Sequence, residues 1–458
     1  MKFVTLVLLA IIISLFSLNN AETLEGRIYD KNDRIEHQLK TINESNNEFI
    51  NGTFDYYVCG ENSKAPYCEC QENGQLKCDA PVVKNSDYEN LLINVYFDGP
   101  YFTNANIKIM NESFIPKTAT FNSNQIKKLE KDKILPGNEA TVETLEINSN
   151  GIEEIENGAF NNFSSLKSLD LSKNSLSNIS ARVLTKEIGS SLKKLDLSHN
   201  PFTSTDSFDF TNLEKLEELI LDGIHIYLSN NYEKTDFIFP KSLSNLKKLS
   251  MRDCGIISFN DKIFDNLINL ETLDLYGNYF SSVPESINQL TNLQSLNLGH
   301  SFILNLNETS FKNNQKLSEF SMVASALRNI DNCTFCKKPN LKKVMLYQNR
   351  HLSYIHENAF GNVDSEILHS LETFSVESCN LSIIPEKLLN WNSLTEFGIG
   401  KNPFICNCSM AWLINDLLSP THSVPFLFRH MKQRRSFSYN EDKTILEDFD
   451  FETNVYKV

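Results

Sequence analysis

Residues 166–179 read Leu-Lys-Ser-Leu-Asp-Leu-Ser-Lys-Asn-Ser-Leu-Ser-Asn-Ile, and the pattern inside them, LxxLxLxxN, returns along the chain. It is cleanest at Leu166, Leu169, Leu171 and Asn174, at Leu192, Leu195, Leu197 and Asn200, and at Leu270, Leu273, Leu275 and Asn278. Aligned on the first apolar position, copies begin at Pro116, Val142, Leu166, Leu192, Leu216, Leu246, Leu270, Leu293, Leu317, Leu341, Leu371 and Leu394. Spacings of 23 to 30 residues between copies identify a stacked-repeat solenoid.

The repeat has a mechanical reading. Side chains alternate along LxL, so Leu169 and Leu171 point to one face while Asp170 and Ser172 point to the other. A single copy cannot bury its leucines, but stacked copies join their strands into a parallel sheet over one continuous core. Apolar residues three apart (Phe160, Phe163, Leu166; Phe210, Leu213, Leu216; Phe264, Leu267, Leu270) turn the chain back behind that sheet. The closing Asn is buried at the bend, so its amide must bond main-chain groups of its own and the next coil. Asn124, Asn150, Asn174, Asn200, Asn278, Asn349 and Asn402 hold that place, and Ile224, Cys254, Ser301, Ser325 and Cys379 replace it. Cys254 and Cys379 therefore read as core thiols that act as small hydrophobes.

On these repeats the chain resembles the leucine-rich-repeat (LRR) family. The resemblance covers about 59–413 and implies an α/β fold: a right-handed solenoid with a parallel sheet on its concave face and a convex side of loops and short helices. Within the family the chain is similar to arthropod secreted LRR proteins, a group that includes the non-catalytic subunit of the shrimp Oplophorus luciferase.

Cysteines stand before the first repeat at Cys59, Cys68, Cys70 and Cys78. Sequence alone allows three connectivities. The spacing is similar to the amino-terminal cap of extracellular LRR proteins, and that resemblance implies Cys59–Cys70 and Cys68–Cys78 bridges. A zinc site fits less well, because the paired C-x2-C spacings of structural zinc are missing. Cys333 and Cys336 form a lone C-x2-C, read as a local disulfide or two separate thiols. Cys406 and Cys408, with Trp412 and Leu413, resemble the opening of the family's carboxy-terminal cap, whose downstream cysteines do not follow here.

Lys2 and the apolar run Phe3–Leu18, followed by Ala21, have the layout of a secretory signal peptide; an uncleaved signal anchor is the alternative. No other apolar run approaches the roughly 20 residues of a spanning helix, which predicts no stable membrane insertion. Nine Asn-x-Ser/Thr sites agree with a secretory route: Asn43, Asn51, Asn111, Asn162, Asn178, Asn307, Asn332, Asn380 and Asn407. The expected organisation is a leader over 1–21, a flexible polar arm over 22–58 and a cysteine cap over 59–81. An irregular first coil or hairpin follows over 82–115, then the solenoid over 116–404, a partial cap over 405–419 and a charged, disordered tail over 420–458. The six-residue extensions of the repeats starting at Leu216 and Leu341, near 227–239 and 358–369, should bulge without breaking the sheet.

The 43 Lys and Arg against 58 Asp and Glu give a net charge of −15, which argues against nucleic acid as a partner. Lysine doublets at Lys193-Lys194, Lys247-Lys248 and Lys342-Lys343 could stack into a stripe able to touch a sulfated glycan. No H-E-x-x-H, G-x-S-x-G or phosphate-cradling glycine loop is present, and Glu217-Glu218 are expected on opposite faces of a strand. The sequence therefore predicts no enzyme, cofactor or metal, but a surface for an extracellular protein. The residues flanking the leucines are acidic toward the amino end, at Glu146, Asp170, Asp196 and Asp222. They become aromatic and apolar further on, at Tyr276, His300, Val323, Met345 and Tyr347 with Gln348 beside them; these six are the candidate binding residues. The expected role is a secreted scaffold, adhesion protein or carrier subunit, with an immune recognition ectodomain of Toll-like kind as the competing class.

Overall fold

A computed structural model of the chain describes residues 56–59, 68–79, 102–109, 113–225, 237–362, 371–405, 408–413, 449–450 and 455–456. The leader, most of the arm, the tail apart from its last short pairing, and sequons Asn43, Asn51, Asn111 and Asn407 lie outside the described residues.

One 14-stranded sheet runs through the molecule. A hairpin opens it, β1 (Glu69–Cys70) antiparallel to β2 (Gln75–Lys77). Twelve parallel strands follow: β3 (Thr118–Thr120), β4 (Thr144–Glu146), β5 (Ser168–Asp170), β6 (Lys194–Asp196), β7 (Glu218–Ile220) and β8 (Lys248–Ser250), then β9 (Thr272–Asp274), β10 (Ser295–Asn297), β11 (Glu319–Ser321), β12 (Lys343–Met345), β13 (Thr373–Ser375) and β14 (Glu396–Gly398). Each begins two residues after a repeat start, and equivalent residues pair across the whole array. Leu169, for example, lies between Leu145 and Leu195. The register follows burial: a slip of one residue would place every central leucine in water. Each fully buried leucine contributes about 1.5–3 kcal/mol, so the register is strongly specified. Both long repeats leave the sheet unbroken, β7 pairing β8 and β12 pairing β13. Most of their extra residues lie outside the described ones, but Phe239 and Phe360, placed by sequence at or near these bulges, are core residues.

Behind the sheet, phenylalanines form an internal spine. Phe335 stacks on Phe311 and Phe360 with centroids 5.7 and 4.9 Å away. The convex side carries less helix than expected: among the described residues, one four-residue α-helix, Lys186–Gly189, and short 3-10 turns. Short parallel pairings fill the rest, such as Asn305–Leu306, Asn329–Ile330 and Tyr354–Ile355. In those segments a full helix is not needed, because a narrow coil already satisfies its backbone through the next one.

The amino end is closed by disulfides Cys59–Cys70 and Cys68–Cys78, the pairing that the family resemblance implies. The polar-arm expectation fails at its end. Tyr56–Val58 forms a strand parallel to Ile107–Ile109, and Val58 is fully buried. The 106–109 segment thus pairs with the chain before the cap, not within a hairpin of its own. At the other end Met410, Trp412 and Leu413 are buried over the last coil, with Trp412 Nε1 donating to the Ile384 carbonyl at 3.3 Å. In the tail, expected to be disordered, Phe449–Asp450 pairs with Val455–Tyr456.

The closing Asn works as a clip between coils. Asn174 Nδ2 donates to the carbonyls of Ile147 and Leu171 at 2.9 and 3.0 Å. Its Oδ1 accepts from the amides of Asn150, Gly151 and Ile152 at 3.1, 2.9 and 3.0 Å. The partner is the preceding coil, not the next one as the sequence suggested. Where cysteine takes the place, the thiol does the donating: Cys254 Sγ lies 3.2 Å from the Leu221 carbonyl and Cys379 Sγ 3.4 Å from that of Leu346. Burial pushes these thiols up to about 12 and about 11, so neither is a nucleophile near neutral pH. Cys333 and Cys336 are joined in a local disulfide.

Candidate functional site

The open face of the sheet is built from two residues per strand end: the one after the central apolar residue, and the one two further on. In a solenoid of this kind that face is an extended binding surface. Position for position, the second column runs Asp222, Arg252, Tyr276, Gly299, Val323, Tyr347 and Glu377 from the fifth repeat to the eleventh. Strand spacing of about 4.8 Å places Tyr276 and Tyr347, three strands apart, within about 15 Å of each other.

The sequence picked Tyr276 as an exposed anchor; the structure holds it more firmly. Its ring lies half-buried under the Arg252 guanidinium, 4.9 Å from the centroid, and stacks on His300 at 5.7 Å. Gly299 makes room, since a Cβ there would come within 2.9 Å of the Tyr276 ring. Asp274, below them, accepts from the Tyr276 amide at 3.0 Å and approaches Arg252 Nε at 3.9 Å. Burial holds the Asp274 carboxyl above its ordinary range, partly offset by the Tyr276 amide and by Arg252. Val323, Met345 and Tyr347 are half-buried beside this row, while His300 and Gln348 are exposed. Four of the six candidates, Tyr276, Val323, Met345 and Tyr347, therefore fall in the two columns of the open face between β9 and β12, while His300 and Gln348 lie one residue beyond the second column. Arg252 belongs to the cluster and was missed, although lining up the repeats by column would have found it.

Next to this column, a backbone feature recurs. The eighth residue of every repeat has positive φ, from 52° at Ala324 to 75° at Gly277. Only Gly223 and Gly277 are glycines, and there the preceding coil explains why. A Cβ on Gly223 would meet the His199 imidazole at 2.2 Å, and one on Gly277 the Asp253 carboxylate at 1.8 Å.

The flank of the sheet overturns the lysine stripe. Lys193 and Lys247 both bind Glu217, each at 2.8 Å. Lys194 binds Glu218 at 2.8 Å, and Lys342 binds Glu372 at 2.9 Å. Glu217 and Glu218 thus share the wet side instead of pointing to opposite faces, because Glu217 precedes the strand. The two lysines hold the Glu217 carboxyl down at about 2. Apolar side chains also reach solvent on the lateral edge, where Ile257, Tyr279 and Phe302 are more than half exposed and the last two rings lie 5.8 Å apart.

All five described sequons, Asn162, Asn178, Asn307, Asn332 and Asn380, are exposed and lie off the open face. Among the described residues, no group of His, Cys, Asp and Glu is arranged to hold a metal, and no helix is long and apolar enough to cross a membrane.

Comparison with known proteins agrees with the repeat reading. The leucine rich repeat model matches residues 140–186 and 244–303, a second leucine rich repeat model 191–213, and a BspA type leucine rich repeat region 307–405. The chain is a leucine-rich-repeat protein. It is 28% identical over 243 residues to a probable glycoprotein hormone G-protein coupled receptor of Anthopleura elegantissima, covering 52% of this chain and 25% of that receptor. It is 26% identical over 333 residues to human Toll-like receptor 8, covering 66% of this chain and 30% of the receptor. The chain thus spans no more than 30% of the length of either relative. Among solved structures, a Toll–Spatzle complex aligns with TM-score 0.48 and 16% identity over 65% of this chain and 40% of that one. A TLR13–ssRNA13 complex aligns with TM-score 0.34 and 22% identity over 67% and 57%.

Proposed function

We propose that this chain is a secreted, non-catalytic protein-binding LRR protein that engages an extracellular protein on the open face of its sheet. The observation that carries the reading is the row Arg252, Tyr276 and His300 laid over Gly299 beside Val323, Met345 and Tyr347. These are side chains that anchor interfaces, gathered on the open face and left half-buried or exposed among the described residues. The placing of the sequons supports the same face, since glycans at Asn162, Asn178, Asn307, Asn332 and Asn380 would leave it clear. The biological setting has two readings. One is a scaffold, adhesion or carrier-subunit role, which an open face engaging one extracellular protein would serve. The other is an immune recognition ectodomain, favoured by the alignment with Toll-like receptor 8 over 333 residues.

The test is capture from extracellular fluid by the tagged full chain, produced in a secretory host. Tyr347→Ala should weaken capture about fivefold or more, roughly 1 kcal/mol, with little change in stability. Asn313→Ala and Lys262→Ala, on exposed positions behind the sheet, should change neither. Equal losses from front and back variants would place the partner elsewhere.

A further inference from the structure

Charge on the wet side is sorted by position in the repeat. At the strand starts, cations and anions neutralise one another along the stack, as in Lys167–Glu143 at 2.7 Å and Lys194–Glu218 at 2.8 Å. One column further in, from β4 to β7, the anions stand without cations, in contrast to Asp274 on β9, which Arg252 approaches. Glu146, Asp170 and Asp196 occupy one register on β4, β5 and β6, and Asp222 follows β7. Their partners are neutral. Asn148 Nδ2 donates to Asp170 at 2.9 Å, Ser250 Oγ to Asp222 at 2.6 Å, and the Ser198 hydroxyl to Asp196. Among the described residues none of the four has an ion-pair partner, and Lys194, whose charge acts on Asp170 and Asp196, is held by Glu218. Burial, with Asp170 and Asp222 nearby, raises the Asp196 carboxyl above its ordinary range. An arriving cation would relieve that repulsion.

We infer that the amino-terminal half of the open face receives a Lys- or Arg-bearing segment of a protein, whose apolar side chains seat on the Tyr276–Tyr347 cluster. The inference rests on the open-face reading proposed above and adds the partner's chemistry to it. At about 4.8 Å per strand, the row from β4 to β7 spans about 14 Å, the aromatic cluster from β9 to β12 about 14 Å, and the two together, with the step across β8, about 38 Å. One ligand touching both must therefore be a macromolecule. Hydrogen bonds from neutral donors fix the carboxylates in a half-buried row, so they meet a cation with little further ordering and with weak screening.

The experiment uses the full chain and a fluorescein-labelled peptide of alternating Lys and Ser ending in Trp, with its Glu-for-Lys counterpart as control. Binding should fall with added salt, and the Glu peptide should not bind. Asp170→Asn with Asp196→Asn, which keeps an acceptor at both places, should weaken binding about tenfold or more and flatten its salt dependence. Glu143→Gln on the neutralised flank should change it by less than about twofold. Binding of both peptides alike, or an unchanged affinity and salt slope in the Asn variant, would overturn the inference. Natural-partner capture separates it from the broader reading. If Tyr347→Ala lowers capture and the Asn pair does not, the open face stands and the cationic partner falls. If neither lowers it, both fall.

Discussion

The residues that define each coil were legible because their constraint is local. An Asn that ends LxxLxL must satisfy both ends of its amide in a dry bend, and every described member of that column does so through its own and the preceding coil. The direction of the clip was not legible, since sequence spacing is the same either way. Nor was the left-handed column beside it, because ten of its twelve members are not glycines. Its two glycines make a sharp comparison with Gly137, which has φ +83° and open space where a Cβ would lie. Gly137→Ala should cost only backbone strain, about 1 kcal/mol. Gly277→Ala adds a clash with Asp253 and should cost clearly more in urea denaturation; equal losses would mean that the Asp253 side chain moves away freely. Titration offers a second residue-scale test. Glu217 has its folded carboxyl at about 2 against an ordinary 4.5, so it stabilises the fold above about 4.5 and loses that contribution as pH falls through the window toward about 2. Glu217→Gln should destabilise the chain by less than about 1 kcal/mol at pH 6, and the difference should vanish at the acid end. Asp196 and Asp274, whose carboxyls are raised, act in the opposite sense and gain stability as pH falls.

At the scale of elements, strand positions could be read from the leucines because a slip would expose them all. The cap could not be read fully. Its hairpin needs partners outside the cysteine cluster: Gln75–Lys77 pairs with Thr118–Thr120, and Val58 is drawn into the core from a stretch whose composition is polar. The lysine doublets misled for a related reason. Their glutamate partners sit in neighbouring coils, 24 or 30 residues away, and only the stacked register brings them together. The cap closes the first coil, so its bridges should matter to the whole array. Replacing Cys68 and Cys78 by Ala should cost about 2–5 kcal/mol, with Cys333→Ala/Cys336→Ala costing less because its loop is only 3 residues apart in sequence. Thermal unfolding of the two double variants, compared with the parent, decides it; the reverse order would show that the cap is not the limiting closure.

The whole molecule is quasi-one-dimensional, which makes its stability regional. Each coil touches its neighbours in the stack and little else, so damage in the middle should spread to adjacent coils before it reaches the ends. The phenylalanine spine gives the place to test this. Phe335 is fully buried, with the rings of Phe311, Phe320 and Phe360 at 5.7, 5.5 and 4.9 Å. Phe335→Ala removes those contacts and leaves a cavity, at about 3–5 kcal/mol. In a compact globular domain that loss would lower protection everywhere. Here hydrogen exchange should accelerate first in β11, β12 and β13, around the lost ring, while β4, β5 and β6 keep their parent rates. The acidic row would then survive while the Tyr347 side of the aromatic cluster loosens, so a basic probe should still bind, weakly, to a variant that no longer captures the partner. Uniform acceleration along all strands would show instead that the array unfolds as one cooperative unit and that the two halves of the face cannot be separated in this way.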